Sequence, residues 1–416
     1  MSAALDMLAL GIMVPVLPKL MVMFEGGSHA KAAQMTGIFG FAWALMQFLA
    51  SPLMGSLSDR YGRRPVLLLS SLGLGLDYVL MALAPSIAWL FVGRLISGIT
   101  TATYSTAAAY IADITPPEKR AGRFGMLGAA FGIGFIIGPA VGGVLGQIDL
   151  RLPFWVAAAL SFINTLYGFF VLPESLTEEK RSPFTWKVAN PFGAFRFIAD
   201  HPKLVGLFVA TFLSYLAHES LPSMFVLYTD FRFHWDEKTV GYVLGAVGFT
   251  SMIVAAGLTR RLVKSAGEKT TLLLGLACGA LGFSWYGFAW SPTVFLMGMP
   301  FVALMGLNSP AIQAMMSGEI DDTKQGQLQG VLSSLKGISG MAGPVLFTQS
   351  FALATKDGAS AGLVPVGIPY YLAGALLSVA FVLVLFCEVQ RVSKVKAELT
   401  VSSKHEGSDA LHQEPS

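Results

Sequence analysis

The chain has 416 residues, of which 54% are hydrophobic and only 13% are charged, and its mean hydropathy is +0.63. A soluble domain usually carries about 25% charged residues, so this composition offers too few polar groups to cover a water-facing surface. The net charge of +3 gives no indication of nucleic-acid binding. The composition therefore predicts a membrane protein and argues against a soluble enzyme.

Twelve apolar segments follow one another along the chain. Each is close to the length of about 20 apolar residues that a helix needs to cross the hydrocarbon layer. The predicted spans, numbered one to twelve in chain order, are 3–24, 33–54, 65–84, 87–111, 122–147, 152–172, 203–228, 239–259, 269–290, 292–316, 327–353 and 362–387. No basic region precedes the first segment, so we expect a membrane helix there and not a cleaved leader. The prediction is an all-α membrane protein of twelve transmembrane helices.

A long polar loop divides these spans six and six. The predicted units are an N-terminal six-helix bundle (1–172), a central loop (173–202), a C-terminal six-helix bundle (203–387) and a partly disordered tail (388–416). If both termini are cytoplasmic, 20 of the 28 Lys and Arg residues fall on the cytoplasmic side and 6 on the opposite side. This asymmetry is typical of membrane proteins and supports that orientation. Two distant cysteines give neither a disulfide framework nor a metal site.

The two halves repeat each other at an offset of 205 residues. Gly138-Pro139 in the fifth span corresponds to Gly343-Pro344 in the eleventh. Lys119 to Gly122, before the fifth span, corresponds to Lys324 to Gln327, before the eleventh. Paired halves in transporters rock around a binding site near the middle of the membrane. The pattern therefore predicts two pseudo-symmetric bundles, although small residues also recur by chance in lipid-facing helices.

The loop after the second span has a specific pattern of glycines and charges. Its glycines permit tight turns, and an acid among three bases can form charge-assisted bonds between helix ends. The residues that define it are Gly55, Asp59, Arg60, Gly62, Arg63 and Arg64. This GxLxDRxGRR spacing resembles the cytoplasmic loop motif of the major facilitator superfamily. A basic loop of this kind can also serve only as a topology signal.

The fifth span adds a second motif of small residues. Glycines permit close helix packing, and a proline removes a backbone hydrogen bond and can bend the helix. The residues are Gly134, Gly138, Pro139, Gly142 and Gly143. They resemble the motif of the drug-antiporter branch of the superfamily. Further segments are similar to the bacterial tetracycline/proton antiporters: LDMLALGIMVPVLP (5–18), GRRPVLLLSSLGLGLDYVLMALAP (62–85), GRLISGIT (93–100), AAYIADIT (108–115), LPES (172–175), RFHW (232–235) and KQGQLQG (324–330).

This resemblance covers nearly the whole chain and implies export of a tetracycline–divalent cation complex in exchange for protons. It implies a multi-pass protein of the bacterial inner membrane with no bound cofactor, a substrate that can carry Mg²⁺, and function as a monomer. We find no supported P-loop, HExxH or GxSxG motif, so we expect no enzyme activity. Two alternatives stay open: a proton-coupled transporter of another drug or endogenous metabolite, and a non-transporting receptor or scaffold.

Ionisable residues inside spans are costly and therefore usually functional. Asp77 lies near the middle of the third span and matches an aspartate of the resembled family, as a proton acceptor or the partner of a cationic substrate. Arg94, in the fourth span, could tune a neighbouring acid or form a structural ion pair. Asp6 matches the family's first-span aspartate, but only five residues precede it here. A purely structural carboxylate is the alternative for Asp77.

The second half departs from the resembled family. The ninth span reads Leu274 to Gly279 where the antiporters have an acid, and Ser251 replaces their eighth-span histidine. In exchange, the seventh span carries His218 and Glu219, and the eleventh carries Lys336. These three residues predict a second proton-linked or substrate site, with Glu219 and Lys336 as a pair. A snorkelling lysine and a packing histidine are the alternatives.

Acids also lie at the predicted cytoplasmic ends of the fourth and tenth spans. Asp113 ends the fourth span, and Glu319, Asp321 and Asp322 occupy the corresponding region of the second half. We expect them to cap or latch helices during the conformational cycle, with simple solvation as the alternative. No set of residues predicts a metal site in the protein.

Overall fold

The computed structural model describes residues 2–100, 103–181, 193–321, 324–356 and 363–386. Within these ranges the ordered elements are all helical and none is a strand. The first-half helices are Ser2–Met13, Leu17–Phe24, His29–Tyr61, Arg63–Leu83, Ile87–Thr100, Thr103–Ile114, Pro117–Ile148 and Leu152–Val171. Short helices Glu178–Lys180, Gly193–Asp200 and Pro202–Leu204 follow. The second-half helices are Val205–His218, Ser220–Phe233, Glu237–Ile253, Val254–Leu258, Thr259–Ala266, Glu268–Phe288, Pro292–Met297, Met299–Leu304, Met305–Leu307, Asn308–Glu319, Gln325–Ala354, Leu363–Val366 and Ile368–Phe386.

These helices fall on the predicted apolar segments. Nine helical runs of the described residues are long and apolar enough to cross a membrane, and Ile87–Thr100 is a shorter apolar helix in the fourth span. Several spans are interrupted. The first span breaks before Leu17, where Pro18 occupies the start of the next helix and fits there because a proline needs no helical hydrogen bond at that position. The eighth span contains the π-helical turn Val254–Leu258.

The two repeated glycine–proline pairs make corresponding packing contacts in the two halves. Gly138 of the fifth span packs against the backbone of Gly11 in the first span. Its counterpart Gly343, in the eleventh span, packs against Glu219 and Leu216 of the seventh. Since Leu216 lies 205 residues after Gly11, the sequence repeat corresponds to a structural repeat. The domain boundaries themselves stay predictions. Residues 182–192 of the central loop, residue 387 and the whole tail (388–416) lie outside the described ranges.

The two halves meet along the fifth and eighth spans and along the second and eleventh. A methyl group added to Gly142 would collide with the carbonyl oxygen of Ile12, and one added to Gly143 would collide with that of Glu237. The motif glycines thus bring the fifth span against both the first and the eighth. On the second span, an added methyl group at Gly40 would lie 2.6 Å from Cβ of Pro344.

The glycine contacts between the halves do not extend to both ends of the bundle. We call the ends of the spans near Lys19, Asp230 and Glu237 the Lys19 side, and the ends near Gly62 and Glu174 the Gly62 side. Toward the Gly62 side, methyl groups added at Gly125, Gly128 and Gly132 of the fifth span, or at Gly326 and Gly330 of the eleventh, would meet no described atom within 4 Å. The halves therefore touch toward the Lys19 side and separate toward the Gly62 side.

Candidate functional site

Asp6 lies in a buried polar cluster of the first half. It is 3% exposed, and its Oδ1 accepts hydrogen bonds from Nδ2 of Asn164 at 2.8 Å and from Oγ of Ser71 at 3.5 Å. Asn164 also donates to Oγ of Ser71 at 3.3 Å. The cluster joins the first, third and sixth spans. One of the two carboxylate oxygens, Oδ2, accepts no hydrogen bond from the described residues, which leaves it available to carry a proton.

Asp77 is even more deeply buried, at 1% exposure. A methyl group added to Gly93 would lie 2.7 Å from its Oδ1, so the carboxylate packs on the fourth span directly beside Arg94. Arg94 acts electrostatically on Asp77 but forms no ion pair within 4.0 Å with any described residue. Neither oxygen of Asp77 accepts a hydrogen bond among those residues. A buried carboxylate without partners is stable as the neutral acid and costly as the anion.

His218, Glu219 and Lys336, which the sequence predicts to form a second site, lie on the neighbouring seventh and eleventh spans. Glu219 lies at the break between the two helices of the seventh span and packs on Gly343. Lys336 is two turns earlier on the eleventh span, on the same face of the helix as Gly343. The predicted Glu219–Lys336 pair does not form a contact within the 4.0 Å of an ion pair. His218 and Lys336 are exposed, and Glu219 is partly buried.

A network of charged groups joins the halves at the Lys19 side. Nζ of Lys19 lies 3.5 Å from Asp230 and 3.2 Å from Glu237, and it donates a 2.6 Å hydrogen bond to the carbonyl oxygen of Trp235. Nε2 of His29 lies 3.0 Å from Oδ2 of Asp230. Sequence reasoning used Lys19 only as a topology signal, because nothing local indicates a partner more than 200 residues away. These contacts hold the Lys19 side closed.

At the Gly62 side, the charges of the loop motif bind within the first half. Arg63 contacts Oδ1 of Asp59 at 2.5 Å and Oδ2 of Asp113 at 3.1 Å. Gly62 has a φ of +104°, which only glycine adopts readily, and it separates the second span from the third. Arg60 is exposed and lies over the ring of Tyr61, while an added methyl group at Gly55 would meet no described atom within 4 Å.

Glu174 completes this arrangement, and sequence reasoning quoted it only as part of a resemblance. Its carboxylate accepts hydrogen bonds from the backbone N–H groups of Arg63 at 2.9 Å and Arg64 at 3.2 Å. It thereby satisfies donors at the start of the third span, where a negative charge also complements the helix dipole. The neighbouring Ser175 donates to Oδ2 of Asp113 at 3.1 Å. The sequence signal that could have indicated this cap is an acid followed by serine directly after a predicted span.

The remaining predicted residues give no further cluster. Glu319 ends the helix Asn308–Glu319 and Asp321 is exposed, whereas Asp322 lies outside the described ranges. Among the described residues, no group of three or more His, Cys, Asp or Glu side chains could hold a metal ion.

Comparisons with known proteins agree with this architecture. The family model of the Major Facilitator Superfamily matches residues 1–344. The class C tetracycline resistance protein of Escherichia coli is 39% identical over 355 residues, which cover 84% of this chain and 88% of that protein. The human organic anion transporter MFSD10 (TETRAN) has a TM-score of 0.67 at 25% identity, covering 92% of this chain and 97% of that one.

A second solved structure shares the fold. A bacterial homologue of the human lysosomal transporter Spinster, in an inward-facing and unoccupied conformation, has a TM-score of 0.74 at 16% identity. The match covers 94% of this chain and 97% of that one. Such a low identity shows the shared fold alone, so the conformation of this chain rests on its own contacts between the halves.

Proposed function

Since this chain belongs to the Major Facilitator Superfamily, we propose that it is a secondary active transporter that exports tetracycline in exchange for protons. The similarity to the tetracycline resistance protein over most of both chains supports this substrate. We place it in a bacterial inner membrane as a monomer without a cofactor. Both termini and the Gly62 side face the cytoplasm, in keeping with the distribution of Lys and Arg.

One observation carries the coupling to protons: Asp77 is almost fully buried and neither of its oxygens has a described partner. A carboxylate at this depth is retained against a large desolvation cost, which favours a role in proton transfer over one in packing. Asp6 is a second buried acid in the same half, held by Asn164. Both acids can take up or release a proton only when the bundle exposes them to water.

Alternating access then links proton movement to drug movement. With the halves joined at the Lys19 side and parted at the Gly62 side, the space between them opens toward the cytoplasm, where the drug is collected. Opening of the Lys19 side would release the drug and admit a proton from outside. A drug that binds one protonation state of Asp77 better than the other couples the two fluxes.

Substitution of Asp77 tests this proposal. Asp77→Asn keeps the size and removes the proton site, so we expect loss of tetracycline/proton exchange in vesicles and loss of resistance in an efflux-deficient host. Asp200→Asn, at an exposed position of the short helix Gly193–Asp200, is the matched control and is expected to behave as the wild type. Undiminished exchange in Asp77→Asn, with equal amounts in the membrane, would remove Asp77 from the mechanism.

A second candidate is export of a different organic compound or endogenous metabolite. It is favoured by the ninth-span sequence Leu274 to Gly279, which carries no acid, and by the similarity to a solved organic anion transporter. Growth inhibition by a panel of tetracyclines, phenicols and other amphipathic drugs separates the two candidates. Protection limited to tetracyclines supports the first, and protection against other classes alone supports the second.

A further inference from the structure

Acidic and basic side chains within the spans differ in their exposure. Asp6 and Asp77 are 3% and 1% exposed, because both pack between helices of the first half. Lys336 is exposed and Arg94 is partly exposed. Glu219 is partly buried against Gly343. Among these residues, the side chains that are not fully buried are therefore mainly basic.

Arg94 and Trp43 bring several unused hydrogen-bond donors together. The guanidinium carbon of Arg94 lies 5.5 Å from the centre of the Trp43 ring. Nε and Nη1 of Arg94 and Nε1 of Trp43 are buried and donate to no described residue. A buried donor without an acceptor costs free energy, and a charged one costs more. An acceptor oxygen placed beside the indole would satisfy these donors.

The second span connects this group of donors to Lys336. Ala44, next to Trp43, faces Gly340, where an added methyl group would lie 3.8 Å from Cβ of Ala44. Phe48, about one turn further along the second span, faces Gly337, where an added methyl group would lie 2.8 Å from the Phe48 ring. Lys336 directly precedes Gly337 and lies two helical turns before Gly343, which packs against Glu219, so it is on the face of the eleventh span that meets the seventh. It therefore lies where the second and seventh spans approach the eleventh, between the two halves.

We propose that Arg94, Trp43 and Lys336 form a subsite for a negatively charged oxygen on a flat ring system. This assignment rests on the proposed transport function and specifies the chemistry of the substrate. The forked guanidinium binds delocalised oxyanions through paired, charge-assisted hydrogen bonds. The indole offers a face for a planar ring and an N–H for its oxygen. A substrate with only positive charge would meet two like charges there.

Two dyes with the same three-ring frame and opposite charge test the subsite on the purified full-length protein. Fluorescein is anionic and rhodamine 6G is cationic, and fluorescence anisotropy at fixed pH measures the binding of each. The wild type is expected to bind fluorescein at least about tenfold more tightly than rhodamine 6G. Tetracycline is then added as a competitor against bound fluorescein, and we expect it to displace the dye.

Variants of the exposed lysine supply the sharpest comparison. Lys336→Gln should weaken fluorescein binding about tenfold, and Lys336→Arg should restore it to within about twofold. Trp43→Phe keeps a ring but loses the N–H, and it should weaken binding about threefold. Lys264→Gln, at an exposed position of the helix Thr259–Ala266, is the matched control and should change nothing.

Three results would overturn the subsite: equal binding of the two dyes, no binding of fluorescein by the wild type, or unchanged fluorescein binding in both folded Lys336→Gln and Trp43→Phe. The tetracycline arm reports separately on the proposed function. Fluorescein binding that depends on Lys336, without displacement by tetracycline, would support the subsite and count against tetracycline as substrate. Tetracycline export by a protein that does not bind fluorescein would leave the function standing and reject the subsite.

Discussion

The two sides of the bundle are held by contacts of different kinds. At the Lys19 side, Lys19 of the first half binds Asp230 and Glu237 of the second. At the Gly62 side, Arg63 binds acids of the first half and Glu174 at the start of the central loop, and none of these described contacts reaches the second half. Contacts between halves must break in each transport cycle, whereas contacts within a half move with it. The difference indicates that the Lys19 side is a gate between the halves. The loop motif at the Gly62 side instead stabilises the first half, which moves as one body.

The largest expected effect comes from a methyl group at a close backbone contact between the halves. In Gly143→Ala the new group would collide with the carbonyl oxygen of Glu237 and lie 3.1 Å from Cα of Gly241. Such overpacking usually costs about 1–3 kcal/mol. We expect the halves to part at the Lys19 side, with a longer distance between spin labels at the exposed positions Lys31 and Lys238.

The same span provides a control for this prediction. Gly125→Ala adds the same group on the Gly62 side, where no described atom lies within 4 Å of it. It is expected to leave the label distance unchanged and to stabilise the helix slightly, because alanine has the higher helix propensity. Equal label distances in the two variants would show that the contact at Gly143 does not hold the gate.

Removal of the Lys19 charge should open the gate by a smaller amount. Lys19→Gln loses two ion pairs and leaves Asp230 and Glu237 without their shared cation. We expect a shift of about tenfold in favour of the open Lys19 side, which the Lys31–Lys238 label pair measures. Lys356→Gln, at an exposed position on the same side, is the control. A gate that stays closed in Lys19→Gln would contradict the role given to this network.

Loss of Glu174 should weaken the first half without moving the gate. In Glu174→Ala the N–H groups of Arg63 and Arg64 lose their acceptor, and loss of such a helix cap costs about 1 kcal/mol. Thermal unfolding in detergent should occur at a lower temperature, while the Lys31–Lys238 distance stays the same. Glu178→Ala, at an exposed neighbouring acid, should unfold as the wild type does. A changed gate distance in Glu174→Ala would reject the division between the two sides.

The smallest effect concerns acid pH at the gate. Hydrogen bonding to Thr239 lowers the pKa of Asp236 below its ordinary value of 3.8, and Gln147 of the first half donates to its Oδ2 at 3.1 Å. A lowered pKa gives stability that is present above 3.8 and is lost as the pH falls through the lowered value. When the pH is lowered from 3.8 through the lowered pKa, the temperature of thermal unfolding should therefore fall less in Asp236→Asn than in the wild type.

Local sequence patterns predicted the helices well because an apolar segment of fixed length is sufficient to define a span. They also grouped His218, Glu219 and Lys336, because ionisable residues within spans are few and usually functional. They missed Asn164 and the partners of Lys19, because contacts between residues 158 or more positions apart leave no local periodicity. The helix cap at Glu174 was missed for the same reason, since the helix that it caps begins 111 residues earlier.

The π-helical turn Val254–Leu258 has a consequence for how the eighth span tolerates insertion and deletion. Before the turn, Glu237–Ile253 packs on the fifth span of the other half. After it, Thr259–Ala266 packs on the ninth span of its own half and carries Arg260 and Arg261. Deletion of one residue within the turn would rotate the second segment about 100° around the helix axis. The π-helical turn therefore determines the direction in which Arg260 and Arg261 point, whereas the segment before the turn makes the contact with the other half.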